Sequence, residues 1–65
     1  MAAYRLYHLD GARKVATAEW IEADDDESAI EAAQLRCGDR RCELWLGQRL
    51  VARLGPEGLS RAGHG

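Results

Sequence analysis

The sequence predicts an α+β protein: one small β-β-α-β-β domain, an antiparallel sheet of two hairpins with one helix packed on one face. Three observations predict it. The stretch from Asp24 to Gly38 carries both the start and the stop signals of a helix. A strand–turn–strand pattern centred on Asp10-Gly11 precedes it, and a second, centred on Gly47-Gln48, follows it. Strand order is not readable from these patterns.

In chain order, Tyr4 to Leu9 is rich in aromatic and apolar residues and reads as the first strand. Asp10-Gly11 is a hairpin signal, because tight hairpin turns need positive φ. Lys14 to Ala23 is the returning strand. Val15, Thr17, Glu19 and Ile21 fall on one side, and Ala16, Ala18, Trp20 and Glu22 on the other. Its alanines suit a helix as well as a strand, and a helix from Arg13 to Glu22 is the rival reading. The preceding turn, and the first strand's need for a partner, favour the strand.

Asp24, Asp25, Asp26 and Glu27 then open the helix. Asp side chains accept from the unpaired first N–H groups, and acids suit the positive end of the helix dipole. The cap is Asp24 or Asp25. A calcium or magnesium loop is the alternative use of such a run, but loops of that kind space their ligands and bend at a Gly. Ala29, Ile30, Ala33 and Cys37 follow helical spacing and face the sheet, and Leu35 falls off that stripe. Gly38 suits the left-handed residue that ends a helix.

Cys42 to Leu46 is the third strand, Gly47-Gln48 a two-residue turn, and Arg49 to Leu54 the fourth strand. That turn sets Trp45 opposite Leu50 and Leu44 opposite Val51. Gly55-Pro56 ends the strand. The domain is thus expected over residues 1–55, with 56–65 a disordered tail.

Residues Tyr4-Arg5-x-Tyr7, Asp10-Gly11, Ala23-Asp24-Asp25-Asp26-Glu27-x-Ala29 and Glu43-Leu44-Trp45-x-Gly47-x-Arg49-x-Val51-Ala52-Arg53-Leu54 carry a resemblance. Over roughly residues 4–54 the chain resembles a group of small, largely uncharacterised bacterial proteins, chiefly alphaproteobacterial. The resemblance implies a stand-alone β-β-α-β-β domain in the cytoplasm. It implies no activity and no site, and Cys37, Arg40, Arg41 and Cys42 depart from the group's pattern.

Sixty-five residues make one domain with a thin core, since much of its 46% apolar content is Ala. The net charge is −2, which does not favour nucleic acid. Residues 1–31 hold three basic and eight acidic side chains, and residues 32–65 hold six and three. That polarity either guides docking or reflects a solvated cap between charged hairpins. No secretory or membrane-spanning pattern is visible, so a cytoplasmic location, with reduced thiols, is expected.

Few residues could carry chemistry. Cys37 and Cys42 could share a zinc with His8 and His64, although the spacing lies at the edge of the usual range. A disulfide is sterically possible but disfavoured by the inferred compartment. The preferred reading makes both cysteines small buried hydrophobes. Cys37 as a nucleophile is opposed by the helix C-terminus, and His8 as a general base lacks a visible partner. The expectation is a protein that is not an enzyme and has no cofactor and no catalytic or metal residues.

Two surfaces remain. Arg40, Arg41, Arg49 and Arg53, near Trp45, form a candidate basic patch for single-stranded nucleic acid or regulation. The favoured candidate follows from counting faces. One helix covers one face of the sheet, yet adjacent strand residues point to opposite faces and both carry large apolar groups. Tyr7, Trp20, Trp45 and Leu50 are therefore the candidate interaction surface, for a homodimer or an unidentified protein partner.

Overall fold

The computed structural model describes residues 1–12 and 14–61. Its elements are β1 (Ala2–Leu9), β2 (Val15–Ala23), α1 (Asp26–Cys37), β3 (Arg41–Leu46), β4 (Arg49–Gly55) and β5 (Gly58–Arg61). All strand pairs are antiparallel, in the order β2-β1-β3-β4-β5. The predicted fold class holds, with one strand more than the sequence suggests. No helix among the described residues is long and apolar enough to cross a membrane.

The first hairpin is built by Asp10. Its Oδ1 accepts from the Ala12 and Lys14 N–H groups at 2.8 and 3.0 Å, and its own N–H donates to the Lys14 carbonyl at 2.9 Å. The strands then pair from Leu9–Val15 to Ala2–Ala23, with a bulge that leaves Ala16 unmatched. The bulge shifts the alternation, so Val15 joins Tyr7 and Leu9 and leaves the predicted side of Thr17 and Glu19. β2 is a strand despite its alanines because β1 supplies the partner that an isolated segment lacks.

Asp25 caps α1: its side chain accepts from the Ser28 N–H at 2.8 Å. Ala29, Ile30, Ala33 and Cys37 are the helix's buried residues, and Leu35 is 87% exposed. Gly38 ends the helix at φ 63° and donates its N–H to the Gln34 carbonyl. The helix packs on one face of β1 to β4 over Tyr4, Leu6, Ile21, Leu44, Ala52 and Leu54.

The second hairpin turns at Gly47, with φ 61°, and pairs Trp45 with Leu50 as predicted. Leu44, however, faces Ala52, because a bulge at Val51 takes up one residue. The predicted boundary at residue 55 and the tail at 56–65 are corrected over 58–61. There Gly58 to Arg61 pair with Ala52 to Gly55. Pro56 ends β4 but does so inside a two-residue turn, where its fixed φ serves the reversal. Leu59 opposite Leu54 and the Arg61–Glu27 ion pair then hold the added strand.

The cap assignment is testable by urea unfolding. Replacing Asp25 with Ala should lower stability by about 1 kcal/mol, and Asp24→Ala by clearly less. Equal losses would show that Asp25 is not the sole cap.

Candidate functional site

The alternation of each strand decides what the uncovered face carries. In β1 it presents Arg5, Tyr7 and Leu9, because Tyr4, Leu6 and His8 are buried beneath the helix. In register, Arg5 lies between Trp20 on β2 and Trp45 on β3, and Trp45 lies opposite Leu50 on β4. A row four strands wide, Trp20–Arg5–Trp45–Leu50, thus crosses the sheet. The next row is Ala18–Tyr7–Glu43–Arg53–Ser60.

Trp20 is 62% exposed and Val15 56% exposed, while Tyr7, Trp45 and Leu50 are half-buried by their neighbours. The Arg5 guanidinium sits 4.3 Å from the centre of the Trp20 ring, a cation–π contact. Trp45 donates its indole N–H to Glu43 Oε1 at 3.2 Å, and Arg53 Nε lies 3.5 Å from the other Glu43 oxygen. Tyr7, Val15, Glu43, Trp45, Gly47 and Gln48 line a shallow open hollow on this face. The four residues named from sequence as an interaction surface are therefore neighbours. Arg5, Val15 and Glu43 belong with them, and only strand order and the bulge beside Val15 reveal that.

The four basic residues named from sequence do not form one patch: Arg41 and Arg53 share a depression with Glu43 and Glu57, and Arg40 and Arg49 lie apart from it. Arg40 lies in the loop before β3. Arg41 pairs with Glu57 at 2.7 Å, Arg53 with Glu43, and Arg49 turns to the helix side, where it meets Asp26 at 3.1 Å. Three of the four thus have a carboxylate beside them.

Under the helix the cysteines require a correction. They are buried, as expected, but not as separate hydrophobes: Cys37 and Cys42 are joined by a disulfide. The turn after Gly38 brings their Cα atoms to 6.2 Å, within bridging range. His8 has the partners that its sequence context does not show, Cys42 on one ring nitrogen and Glu19 on the other. Period-two alternation places His8 on the inward face with Tyr4 and Leu6, but the adjacency of β1 and β3 is a tertiary fact. His64 lies outside the described residues. Among those residues, no group of three or more His, Cys, Asp or Glu side chains is placed to hold a metal ion.

At the helix N-terminus, buried Tyr4 donates its hydroxyl to Asp26 Oδ1 at 2.7 Å, and Arg49 holds both oxygens of the same carboxylate. Burial, then the bond to Asp26, pushes the Tyr4 phenol up to about 12. The Arg49 bonds, then that of Tyr4, hold Asp26 below the usual carboxylate range.

The chain has no match among protein-family models, curated proteins or solved structures.

The Tyr4–Asp26 contact predicts two limbs in stability against pH. Asp26 titrates lower when folded, so its contribution is present above the ordinary carboxylate range and is lost as pH falls through the folded value. Tyr4 titrates higher when folded, so its contribution is intact below about 10 and is lost as pH rises toward about 12. Urea midpoints measured across pH should show a shallower acid limb in Asp26→Asn and a shallower alkaline limb in Tyr4→Phe. Unchanged limbs would remove the contact from the account of stability.

Proposed function

We propose that this chain is a non-catalytic protein-interaction module that self-associates through the helix-free face of its sheet. The observation that carries the reading is the Trp20–Arg5–Trp45–Leu50 row, which lies on a face that none of the described elements covers. Contiguous apolar area of this kind, rimmed by charge, is typical of interaction surfaces, and Trp, Tyr and Arg are the residues that dominate binding energy there.

A second copy of the chain is the partner that best fits the charges. The face carries Arg5 and Arg53 together with Glu22 and Glu43, so a two-fold arrangement can set each cation against an anion of the other copy. Two such sheets stacked face to face would bury the aromatic row as a sandwich core does. The location carried with this reading is the cytoplasm, as the sequence suggests. A nucleic-acid-binding or regulatory role for the second hairpin is the weaker alternative, because Arg41, Arg49 and Arg53 already meet carboxylates.

Native mass spectrometry and sedimentation over a range of concentrations test the reading. The expected result is a dimer that Trp20→Ala weakens by about 30-fold or more, the effect of truncating an interface residue worth about 2 kcal/mol. Because Trp20 is largely exposed, the monomer's unfolding midpoint should barely move. Trp45→Ala should weaken the dimer similarly and also cost stability. A monomer at every concentration would end the self-association reading, and a salt-sensitive shift with single-stranded RNA would favour the alternative.

A further inference from the structure

On the opposite side of the sheet, beneath the C-terminal end of α1, polar contacts run from buried His8 and Cys42 out to half-exposed Glu19 and exposed Arg36, groups that the aromatic face does not use. Cys37 is the last residue of α1, Cys42 the second of β3, and a disulfide joins them. His8 lies directly opposite Cys42 in the β1–β3 register, with Nδ1 3.4 Å from Cys42 Sγ. His8 Nε2 lies 2.6 Å from Glu19 Oε2, and Glu19 Oε1 accepts from Arg36 Nη1 at 2.7 Å. Glu19 on β2 and Arg36 on α1 are the charged groups facing His8, and β4 contributes only Leu54 opposite Cys42.

The protonation pattern follows from what each atom can do. A carboxylate only accepts. The hydrogen bond from His8, with the charge and hydrogen bond of Arg36, holds Glu19 below the usual carboxylate range. The shared proton of the His8–Glu19 contact therefore sits on Nε2. In a neutral imidazole, Nδ1 is then a lone pair aimed at Cys42 Sγ, the arrangement that draws a proton from a thiol and steadies the resulting thiolate. Cys37 is placed differently. Its sulfur lies 2.9 Å from the Arg40 carbonyl, which in the disulfide gives no hydrogen bond but is placed to accept from the Cys37 thiol once the bond is reduced, and it sits at the helix C-terminus, which disfavours a thiolate. It also lies in the wall of a surface depression lined by Arg36, Gly38, Asp39 and Arg40.

We propose that Cys37 and Cys42 form a reversible thiol–disulfide pair, in which Cys37 meets an external dithiol and Cys42 is the thiolate served by His8 and Glu19. In reduction, a thiolate of the dithiol enters by the depression, where Arg36 and Arg40 favour its charge, and attacks Cys37 Sγ. A mixed disulfide forms, the Cys37–Cys42 bond breaks, and its electron pair goes to Cys42 Sγ. The second thiolate of the dithiol then attacks its own sulfur in the mixed disulfide. That bond breaks toward Cys37, whose sulfur takes a proton and donates it to the Arg40 carbonyl. The two protons of the dithiol end on Cys37 Sγ and, through solvent, on His8 Nδ1. The dithiol is oxidised by two electrons to its disulfide, and the protein pair is reduced by two. Oxidation by a disulfide of the same class is the reverse sequence.

The test uses the full chain and needs no knowledge of the natural dithiol. Dithiothreitol should open the bond in the folded protein, and oxidised dithiothreitol should close it again, as followed by mass. In the Cys37→Ser chain, ultraviolet absorbance of the thiolate should show Cys42 ionising below an ordinary thiol. His8→Asn in that background should cut the thiolate fraction at neutral pH about tenfold, which corresponds to one unit of pKa, and Glu19→Gln should cut it less. Circular dichroism reports whether each variant folds. If His8→Asn does not, the half-exposed Glu19→Gln carries the same comparison. The same ionisation profile with and without these changes, or a bond that dithiothreitol opens only on unfolding, would overturn the proposal and leave a structural cross-link.

Discussion

A twelve-residue helix lies across a five-stranded sheet, and only one side of the sheet receives it. Five strands span about 19 Å between their outer members, whereas a helix with its side chains is about 10 Å across. The covered strip must therefore be narrow and densely packed, and it uses small helix residues, Ala29 and Ala33, to let the helix sit close over Leu6, Leu44 and Ala52. Everything outside that strip is held by other means. Under the two ends of the helix those means are polar or covalent; on the far face they are cross-strand contacts between aromatic and charged side chains.

The unequal charge of the two halves of the chain acts largely within the molecule. Glu19, Asp26 and Glu27 from the acidic half meet Arg36, Arg49 and Arg61 from the basic half. Each of these pairs links α1 to a different strand. The acidic first turn therefore does two jobs: Asp25 satisfies the open N–H groups of the helix, while Asp26 and Glu27 engage β4 and β5. Such pairs contribute little individually when exposed, so their main effect is to fix where the ends of the helix lie.

What the sequence made legible was local chemistry. The helix face, the turn and stop signals at Asp10-Gly11, Gly38 and Gly47, and the Trp45–Leu50 pair all depend on residues within a few positions of each other. Bulges escaped it, because skipping Ala16 or Val51 is decided by how two strands fit and not by either strand alone. β5 escaped it because a Pro ends a strand and can also begin a turn. The meeting of His8 with Cys42 was hidden for the most basic reason: 34 residues separate them, and only the placement of β1 beside β3 joins them. The aromatic surface was legible as a set of residues but not as a row, since Arg5 enters only through the same strand order.

That order also has a temporal side. β1 is made first, yet it is the one strand of the first hairpin that ends in the interior of the sheet, with β2 on one flank and β3 on the other. As the chain lengthens, the β1–β2 hairpin can close early, but the second flank of β1 must wait until residues 41–46 have been added. Until then a ladder of backbone groups from Arg5 to Leu9 stands open, bordered by Leu6 and Tyr7. An interior strand of the finished sheet is thus the part of the growing chain that stays longest without its second neighbour, and the intervening helix sets the length of that wait.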